Sequence, residues 1–241
     1  MNYPFRDAIL GFLLGGDPEN FAEAAESLLE NYPPQSIRLL MNHIGTHDTE
    51  RVLTVLGGEP AGTRGREWQS AQRMTEEQRA LGIRRLKLAS FIQYLLPGVP
   101  CLYYGDEAGM EGYRDPFNRA CYPWGQEEAK LLDWYRALGK LRRDEKAILA
   151  QGGYRTLWAQ GNLLLFERST DAERLIAVIN RGDAPCALPE SPALELRGGR
   201  LLFGELPEEG ERIPAFGCCL VKLPVQKAGP QPEPAQPKST E

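Results

Sequence analysis

The stretch IRLLMNHIGTHDTER, residues 37–51, joins an apolar run to a polar loop that holds both histidines of the chain. The run from Ile37 to Met41 predicts a buried strand, and the polar residues follow directly after it. Parallel α/β folds present their chemistry on loops at the carboxyl ends of strands. The stretch therefore predicts a functional loop in which an imidazole, His47, stands beside a carboxylate, Asp48.

Apolar periodicity on both sides of this loop predicts helices that alternate with strands. Asp17 and Pro18 are a preferred N-cap and first helical residue, and Thr75 with Gln78 matches a capping box. The predicted elements are a strand stub at residues 1–3, helices near residues 4–13, 18–32, 76–96 and 127–146, strands at residues 37–41 and 99–104, and a long loop at residues 52–73. This order predicts a parallel sheet covered by helices.

The texture of the sequence changes after Gly152 and Gly153, where short apolar runs are separated by turn residues. The runs predict antiparallel strands at residues 154–158, 163–168, 175–180, 201–203 and 218–223. We therefore divide the chain into an α/β part at residues 1–149, an all-β domain at residues 150–225 and a tail at residues 226–241. Proline, glutamine and charged residues dominate the tail, which predicts disorder.

Composition limits the partners and the compartment of this 241-residue chain. A net charge of −5 argues against nucleic acid or an anionic membrane as the main partner, and apolar runs are too short for a membrane span. The five cysteines show no metal-type pairing, and the N-terminus lacks signal-peptide features, so we predict reduced thiols and a cytoplasmic location. No cofactor or metal is predicted, although the loop between Asp106 and Asp115 leaves calcium open.

The residues alone leave two interpretations of the polar positions open. Asp48 could accept hydrogen bonds from sugar hydroxyls while His47 donates to one, but spacing alone favours a turn-capping aspartate and a structural histidine. For Asp106 and Glu107 we favour turn capping, with bonds to backbone amides or to Arg119.

Four motifs, taken in order, resemble one enzyme family. They are MNYPFR at residues 1–6, THDT at residues 46–49 with Arg51, LPGVPCLYYGDE at residues 96–107, and DPFNR at residues 115–119 followed by Pro123-Trp124. The chain resembles the α-amylase superfamily, glycoside hydrolase family 13, and especially its neopullulanase, cyclomaltodextrinase and intracellular α-glucosidase branch. The resemblance covers residues 1 to about 146, while the β domain is similar in position and texture only.

The resemblance implies a fold and a set of site residues. The fold would be an α/β one, the last strands and helices of a (β/α)8 TIM barrel followed by an antiparallel β-sandwich. Asp48 would be the carboxylate that stabilises an oxocarbenium-like transition state in the hydrolysis of α-glucosidic bonds in malto-oligosaccharides and α-glucans. The residues that would bind substrate are His47, Arg51, Asp115, Arg119, Tyr113 and Trp124.

The resemblance also implies that part of the catalytic apparatus lies outside this sequence. A retaining glycosidase needs a nucleophile and a general acid about 5–5.5 Å apart, and the family carries them on earlier strands. We therefore expect the isolated chain to be inactive and to need an upstream barrel half, in the same longer chain or in a separate polypeptide. The alternative is a non-catalytic module of the same scaffold that binds carbohydrate or protein.

Overall fold

A computed structural model describes residues 1–189, 196–205 and 212–224 of the chain. The predicted disordered tail, residues 226–241, lies outside the described residues, as does residue 225 at the end of the predicted β domain. Helices dominate the described chain up to Gln151, and strands dominate it from Gly153 onward.

Eight helices and nine strands are numbered here in chain order within the described residues. The helices are α1 (Tyr3–Leu13), α2 (Pro18–Asn31), α3 (Pro34–Arg38), α4 (Val52–Gly57), α5 (Arg66–Ala71), α6 (Glu76–Leu95), α7 (Ala129–Asp144) and α8 (Lys146–Gln151). The strands are β1 (Met41–Asn42), β2 (Val99–Pro100), β3 (Gly153–Gln160), β4 (Leu163–Ser169), β5 (Glu173–Asn180), β6 (Cys186–Ala187), β7 (Arg200–Gly204), β8 (Arg212–Ile213) and β9 (Cys218–Pro224).

The helix starts that the sequence predicts are confirmed where a side-chain cap defines them. The Asp17 carboxylate accepts a hydrogen bond from the Glu19 amide, and Pro18 is the first residue of α2. Thr75 and Gln78 form both hydrogen bonds of a capping box at the start of α6. These signals are local, so the sequence was sufficient to find them.

Several predicted strands and loops of the α/β part are wrong. The predicted strand at residues 37–41 is largely the short helix α3, which Pro34 favours at its first turn, and β1 contains only Met41 and Asn42. The predicted stub at residues 1–3 gives way to α1, which Asn2 caps. The strand predicted at residues 99–104 is only the two-residue β2, because only these two residues pair with β1. The predicted loop at residues 52–73 contains α4 and α5.

A parallel strand pair carries the candidate loop. Met41 pairs with Val99 and Asn42 with Pro100, and helices α4 to α6 lie between the two strands in sequence. Buried side chains of α4, including Val52, pack in the same core as α6. The closure of such a pair into a barrel remains a proposal.

The predicted antiparallel strands of the β domain are confirmed. They form a five-stranded sheet in the order β3-β4-β5-β9-β7, and β6 pairs with β8 beside it. Alternate residues of β4 face two different cores: Leu164 and Phe166 join the helices, while Leu163 and Leu165 pack with Ile213 of β8. This double burial is what a sandwich-type domain requires.

Aromatic contacts join the helices to the sheet. The ring of Phe91 in α6 stacks on Phe203 of β7 at 5.6 Å between centroids, and Trp134 of α7 meets the same ring at 4.8 Å. The two parts therefore share one hydrophobic core. The division at residue 149 stays a prediction, and α8 runs across it.

Two smaller sequence predictions concern thiols and membranes. All five cysteines are free in the structure, and their reduced state stays a prediction. Within the residues that the structure describes, no helix has the length and apolar character needed to cross a membrane. The cytoplasmic location stays a prediction.

Candidate functional site

Buried amides fix the end of β1, where the candidate loop begins. The Asn2 side chain donates to Asn42 Oδ1 at 2.9 Å, and Asn42 Nδ2 donates to the Pro97 carbonyl at 2.7 Å. Gln93 Nε2 donates to the Asn42 carbonyl at 2.9 Å. These groups are buried and cannot bond to bulk water, so the hydrogen bonds within the protein satisfy them instead. The loop therefore starts from a rigid base.

His47 and Asp48 project from a turn that two threonines hold. The Thr46 hydroxyl accepts from the Asp48 amide at 3.2 Å, and the Thr49 hydroxyl accepts from the Thr46 amide at the same distance. The side chains of His47 and Asp48 are about 60% exposed, with Nε2 and Oδ1 3.2 Å apart. Both polar groups can therefore meet a ligand that approaches from solvent.

Arg119 brings three of the predicted residues together. Its Nε lies 3.0 Å from Asp115 Oδ1 and donates to the His47 carbonyl at 3.2 Å, while Nη2 is 4.0 Å from Asp48 Oδ1. His47, Asp48, Asp115 and Arg119 thus form one exposed cluster, which we call the loop cluster. It offers two carboxylates, an imidazole and a guanidinium, a set suited to the hydroxyls of a sugar.

Asn118, which is not among the predicted site residues, holds this loop in place. Its side chain is fully buried, and Nδ2 donates to the carbonyls of His47 at 2.9 Å and Thr49 at 2.7 Å. The two residues are 71 and 69 positions away from it. The position of Asn118 within the motif at residues 115–119 was the one hint in the sequence that it matters to the site. The sequence could not show that its hydrogen-bond partners are the His47 and Thr49 carbonyls.

Arg51 lies beneath the loop. Its guanidinium lies against the rings of Tyr103 and Tyr104, at 4.4 and 4.5 Å from their centroids, and donates to the Tyr104 carbonyl. Its amide donates to the Gly112 carbonyl at 2.8 Å. With 1% exposure, Arg51 is not brought to the surface with the loop cluster. Its geometry is that of a positioning residue.

Asp106 is buried against the same arginine. Its Oδ1 lies 3.7 Å from Arg51 Nη1, and within the described residues its carboxyl oxygens have no hydrogen-bond partner. The predicted bonds to backbone amides or Arg119 are therefore wrong for Asp106, whereas Glu107 does accept from the Gly105 amide, as predicted. A Cβ at Gly45 would stand 2.5 Å from Asp106 Oδ2, so the loop passes directly over this carboxyl.

The two predicted aromatic residues lie in different environments. Tyr113 is 6% exposed, donates to the Glu59 carbonyl at 2.7 Å and meets Trp68 edge-on. Trp124 is 82% exposed and packs against Tyr122 at 4.5 Å between centroids. Only Trp124 presents an open face on which a sugar ring could stack.

A cavity of about 430 Å³ lies beside the loop cluster, but neither His47 nor Asp48 lines it. Its wall includes Thr54, Glu111 and Phe117. The side chains of the loop cluster are 46–60% exposed. Among the described residues, no group of three or more histidine, cysteine, aspartate or glutamate side chains is arranged to hold a metal ion.

We expect the stability of the chain to fall as pH rises from about 4 to about 8. Burial raises the pKa of Asp106 from 3.8 to about 8, although the Arg51 charge opposes this effect. Between about pH 4 and pH 8 the folded state keeps a proton that the unfolded state has released. The stabilisation from Asp106 is therefore complete below about pH 4 and is lost as the pH rises to about 8. Urea unfolding at several pH values measures the slope. The Asp106→Asn variant should lack this component, and an unchanged slope in that variant would contradict the assignment.

Comparisons with known proteins support the family resemblance. No protein-family model matches the chain. It is 37% identical over 209 residues to an amylopullulanase of Thermoanaerobacter thermohydrosulfuricus, covering 76% of this chain and 13% of that protein. It is 32% identical over 195 residues to a cyclomaltodextrinase of Geobacillus thermopakistaniensis, covering 78% and 29%. The solved debranching enzyme of Nostoc punctiforme matches with a TM-score of 0.73 and 26% identity over 92% of this chain and 47% of that one.

The parallel strand pair, the loop after β1 and the antiparallel domain define an α/β protein with a β-sandwich-type domain at its C-terminal side. The chain is similar to the C-terminal part of glycosidases of the α-amylase superfamily, glycoside hydrolase family 13. It spans less than a third of the length of the two curated relatives.

Proposed function

We propose that this chain forms one wall of the substrate cleft of a retaining α-glycosidase that hydrolyses α-glucosidic bonds in malto-oligosaccharides and related α-glucans. The observation that carries the proposal is the loop cluster, in which Arg119 joins Asp48, His47 and Asp115 on an exposed surface. The names of the relatives, amylopullulanase and cyclomaltodextrinase, support the substrate class.

Each residue of the loop cluster has a chemical role in this proposal. Asp48 accepts hydrogen bonds from the sugar at the cleaved bond, and its negative charge stabilises the oxocarbenium-like transition state. His47 donates a hydrogen bond to the same sugar. Arg119 holds both aspartates in place and, with Asp115, binds a neighbouring sugar, while Trp124 offers a stacking face.

Arg51 and Tyr113 act indirectly, because both are buried. Arg51 holds the loop in position over Asp106, because its amide donates a hydrogen bond to the Gly112 carbonyl. Tyr113 anchors the neighbouring segment through the Glu59 carbonyl. In the proposal both residues position the wall of the cleft.

The nucleophile and the general acid come, in this proposal, from an upstream barrel half. Exposed apolar side chains on the parallel pair support such a partner: Met41 and Val99 pair across the two strands and are 46% and 48% exposed, and Leu102 is 38% exposed. Apolar surface of this kind is stabilised when a neighbouring strand covers it. The small share of the relatives' length that the chain spans supports the same conclusion.

The experiment compares the chain alone with the chain joined to the polypeptide encoded upstream of it. We expect glucose or maltose release from cyclodextrin, pullulan or maltotriose only with the longer protein. In that protein, Asp48→Asn should lower kcat by about 10²-fold with a smaller change in KM, because the carboxylate acts most strongly on the transition state. Stopped assays with purified variants measure both constants.

Asp133→Asn is the matched control, because Asp133 is an exposed, ion-paired aspartate on α7. It should keep the full activity. Hydrolysis by the isolated chain would refute the need for an upstream half. Equal kcat values for Asp48→Asn and the control would refute the role given to Asp48.

A further inference from the structure

A second cavity, remote in sequence from the loop cluster, is lined by three arginines. Its volume is about 430 Å³, and it lies among the end of α1, the middle of α6 and the turns of the β domain. We call it the arginine groove, and the residues that matter for its chemistry are Arg84, Arg85, Arg181, Asp183, Leu14 and Phe216.

The charge of the groove is opposite to that of the whole chain. Three arginines and one aspartate, Asp183, line it in a protein of net charge −5, and Asp17 acts on Arg181 from outside the lining. Within the described residues, none of these three arginines lies within 4.0 Å of a carboxylate oxygen, whereas Arg64, Arg119 and Arg174 each do. The groove therefore keeps an excess of positive charge that a bound anion would neutralise.

Arg181 is part of the scaffold of the groove. Its guanidinium donates to the carbonyls of Phe12, Gly16 and Gly161, and its Nε donates to Asn162 Oδ1 at 3.3 Å. These bonds use nearly all of its donors. Arg181 therefore contributes a fixed charge rather than direct ligand contacts.

Arg84 and Arg85 have donors to spare. Arg84 forms no hydrogen bond within the described residues, and its guanidinium lies 4.7 Å over the ring of Phe216. Arg85 uses Nη1 to bind the Leu56 carbonyl at 2.8 Å, but its Nε is buried without a partner in the described part of the chain. Burial and the neighbouring Arg84 charge both lower the pKa of Arg85, so an anion here would relieve an existing electrostatic cost.

Phe216 adds an apolar wall with an unusual backbone. Its φ of 49° lies in the left-handed region that residues with a side chain rarely adopt, and its amide is bonded to the Gly182 carbonyl at 2.8 Å. Leu14, 48% exposed, lines the same groove. The volume exceeds what a phosphate group alone would fill, which leaves room for an organic part about the size of one sugar.

We propose that the arginine groove binds the phosphate group of a small organic phosphate, with Arg84 and Arg85 as its charge partners. Guanidinium groups match the oxygens of a phosphate in both charge and geometry, and charge-assisted hydrogen bonds are stronger than neutral ones. The organic part packs against Leu14 and Phe216. This binding function is independent of the proposed glycosidase function.

Calorimetric titration of the full chain tests the proposal, with inorganic phosphate, glucose 6-phosphate and glucose as probes at constant ionic strength. We expect glucose 6-phosphate to bind more tightly than phosphate, and glucose not to bind. Arg84→Ala should weaken the phosphate probes about tenfold through the lost charge-assisted bonds. Asp183→Asn should tighten them, because it removes the repelling carboxylate.

Arg143→Ala serves as the control, because Arg143 is an exposed arginine on α7 outside the groove. It should leave both affinities unchanged. Equal weakening by Arg84→Ala and Arg143→Ala, or no binding of either phosphate probe, would overturn the proposal.

Discussion

Replacing Arg168 by methionine should lower the free energy of unfolding by about 5 kcal/mol, since four charge-assisted hydrogen bonds are lost together. Arg168 is 2% exposed, and its guanidinium donates to the carbonyls of Leu95 at 2.6 Å, Leu149 at 3.1 Å, Gly152 at 2.8 Å and Gly153 at 3.1 Å. These carbonyls end α6 and α8 and begin β3. Methionine fills part of the space but leaves the buried acceptors without donors.

Urea unfolding, followed by circular dichroism, measures this effect. Arg155→Ala is the matched control, because Arg155 lies on the adjacent strand with its side chain 63% exposed, and it should change stability by less than about 0.5 kcal/mol. Arg168→Lys should fall between the two, since one ammonium group cannot reach all four carbonyls. Similar stability of Arg168→Met and the control would show that the carbonyls find other donors.

Arg51→Met should lower the free energy of unfolding by about 4 kcal/mol. The change removes a buried cation that contacts two tyrosine rings and leaves the Tyr104 carbonyl without its donor. Methionine is close to arginine in length, so the lost cation rather than a large cavity dominates the effect. The loop that carries Asp48 should also become less well positioned, because Arg51 lies beneath it.

Asp106→Asn provides the contrast on the carboxyl side of the contact between Arg51 and Asp106. Burial raises the pKa of Asp106 to about 8, so the carboxyl is largely neutral at pH 7, and a neutral amide of the same shape should cost less than about 1 kcal/mol. Thermal and urea unfolding of both variants at pH 7 test the difference. A loss of about 3–5 kcal/mol for Asp106→Asn would mean that the carboxyl is ionised and paired.

The sequence-based prediction was more accurate for the β domain than for the α/β part, and the reason is physical. The five strands of the larger sheet were predicted because apolar runs between turn residues are a local signal, whereas the two-residue strands β6 and β8 were not predicted. The caps of α2 and α6 involve residues two or three positions apart. The strand predicted at residues 37–41 was wrong, because an apolar run that follows Pro34 suits a short helix as well as a strand. Only pairing with β2 decides where β1 lies.

The candidate site shows the same division. The motif at residues 46–49 with Arg51 and the motif at residues 115–119 identified the segments that form the loop cluster. Their relative placement depends on Arg119 and on Asn118, whose hydrogen bonds reach back about 70 residues to the loop. No local pattern encodes such a distance.

The sequence by itself indicated the family resemblance, the five main antiparallel strands, the capped helices and the residue types that surround His47 and Asp48. The tertiary structure alone decided that Arg51 and Asp106 are buried beneath the loop, that Arg168 joins four carbonyls, and that three arginines from α6 and the β domain line one groove. The physical reason is that propensity and capping act between neighbours along the chain. Desolvation, ion pairing and long-range hydrogen bonding act between groups that meet only when the chain has folded.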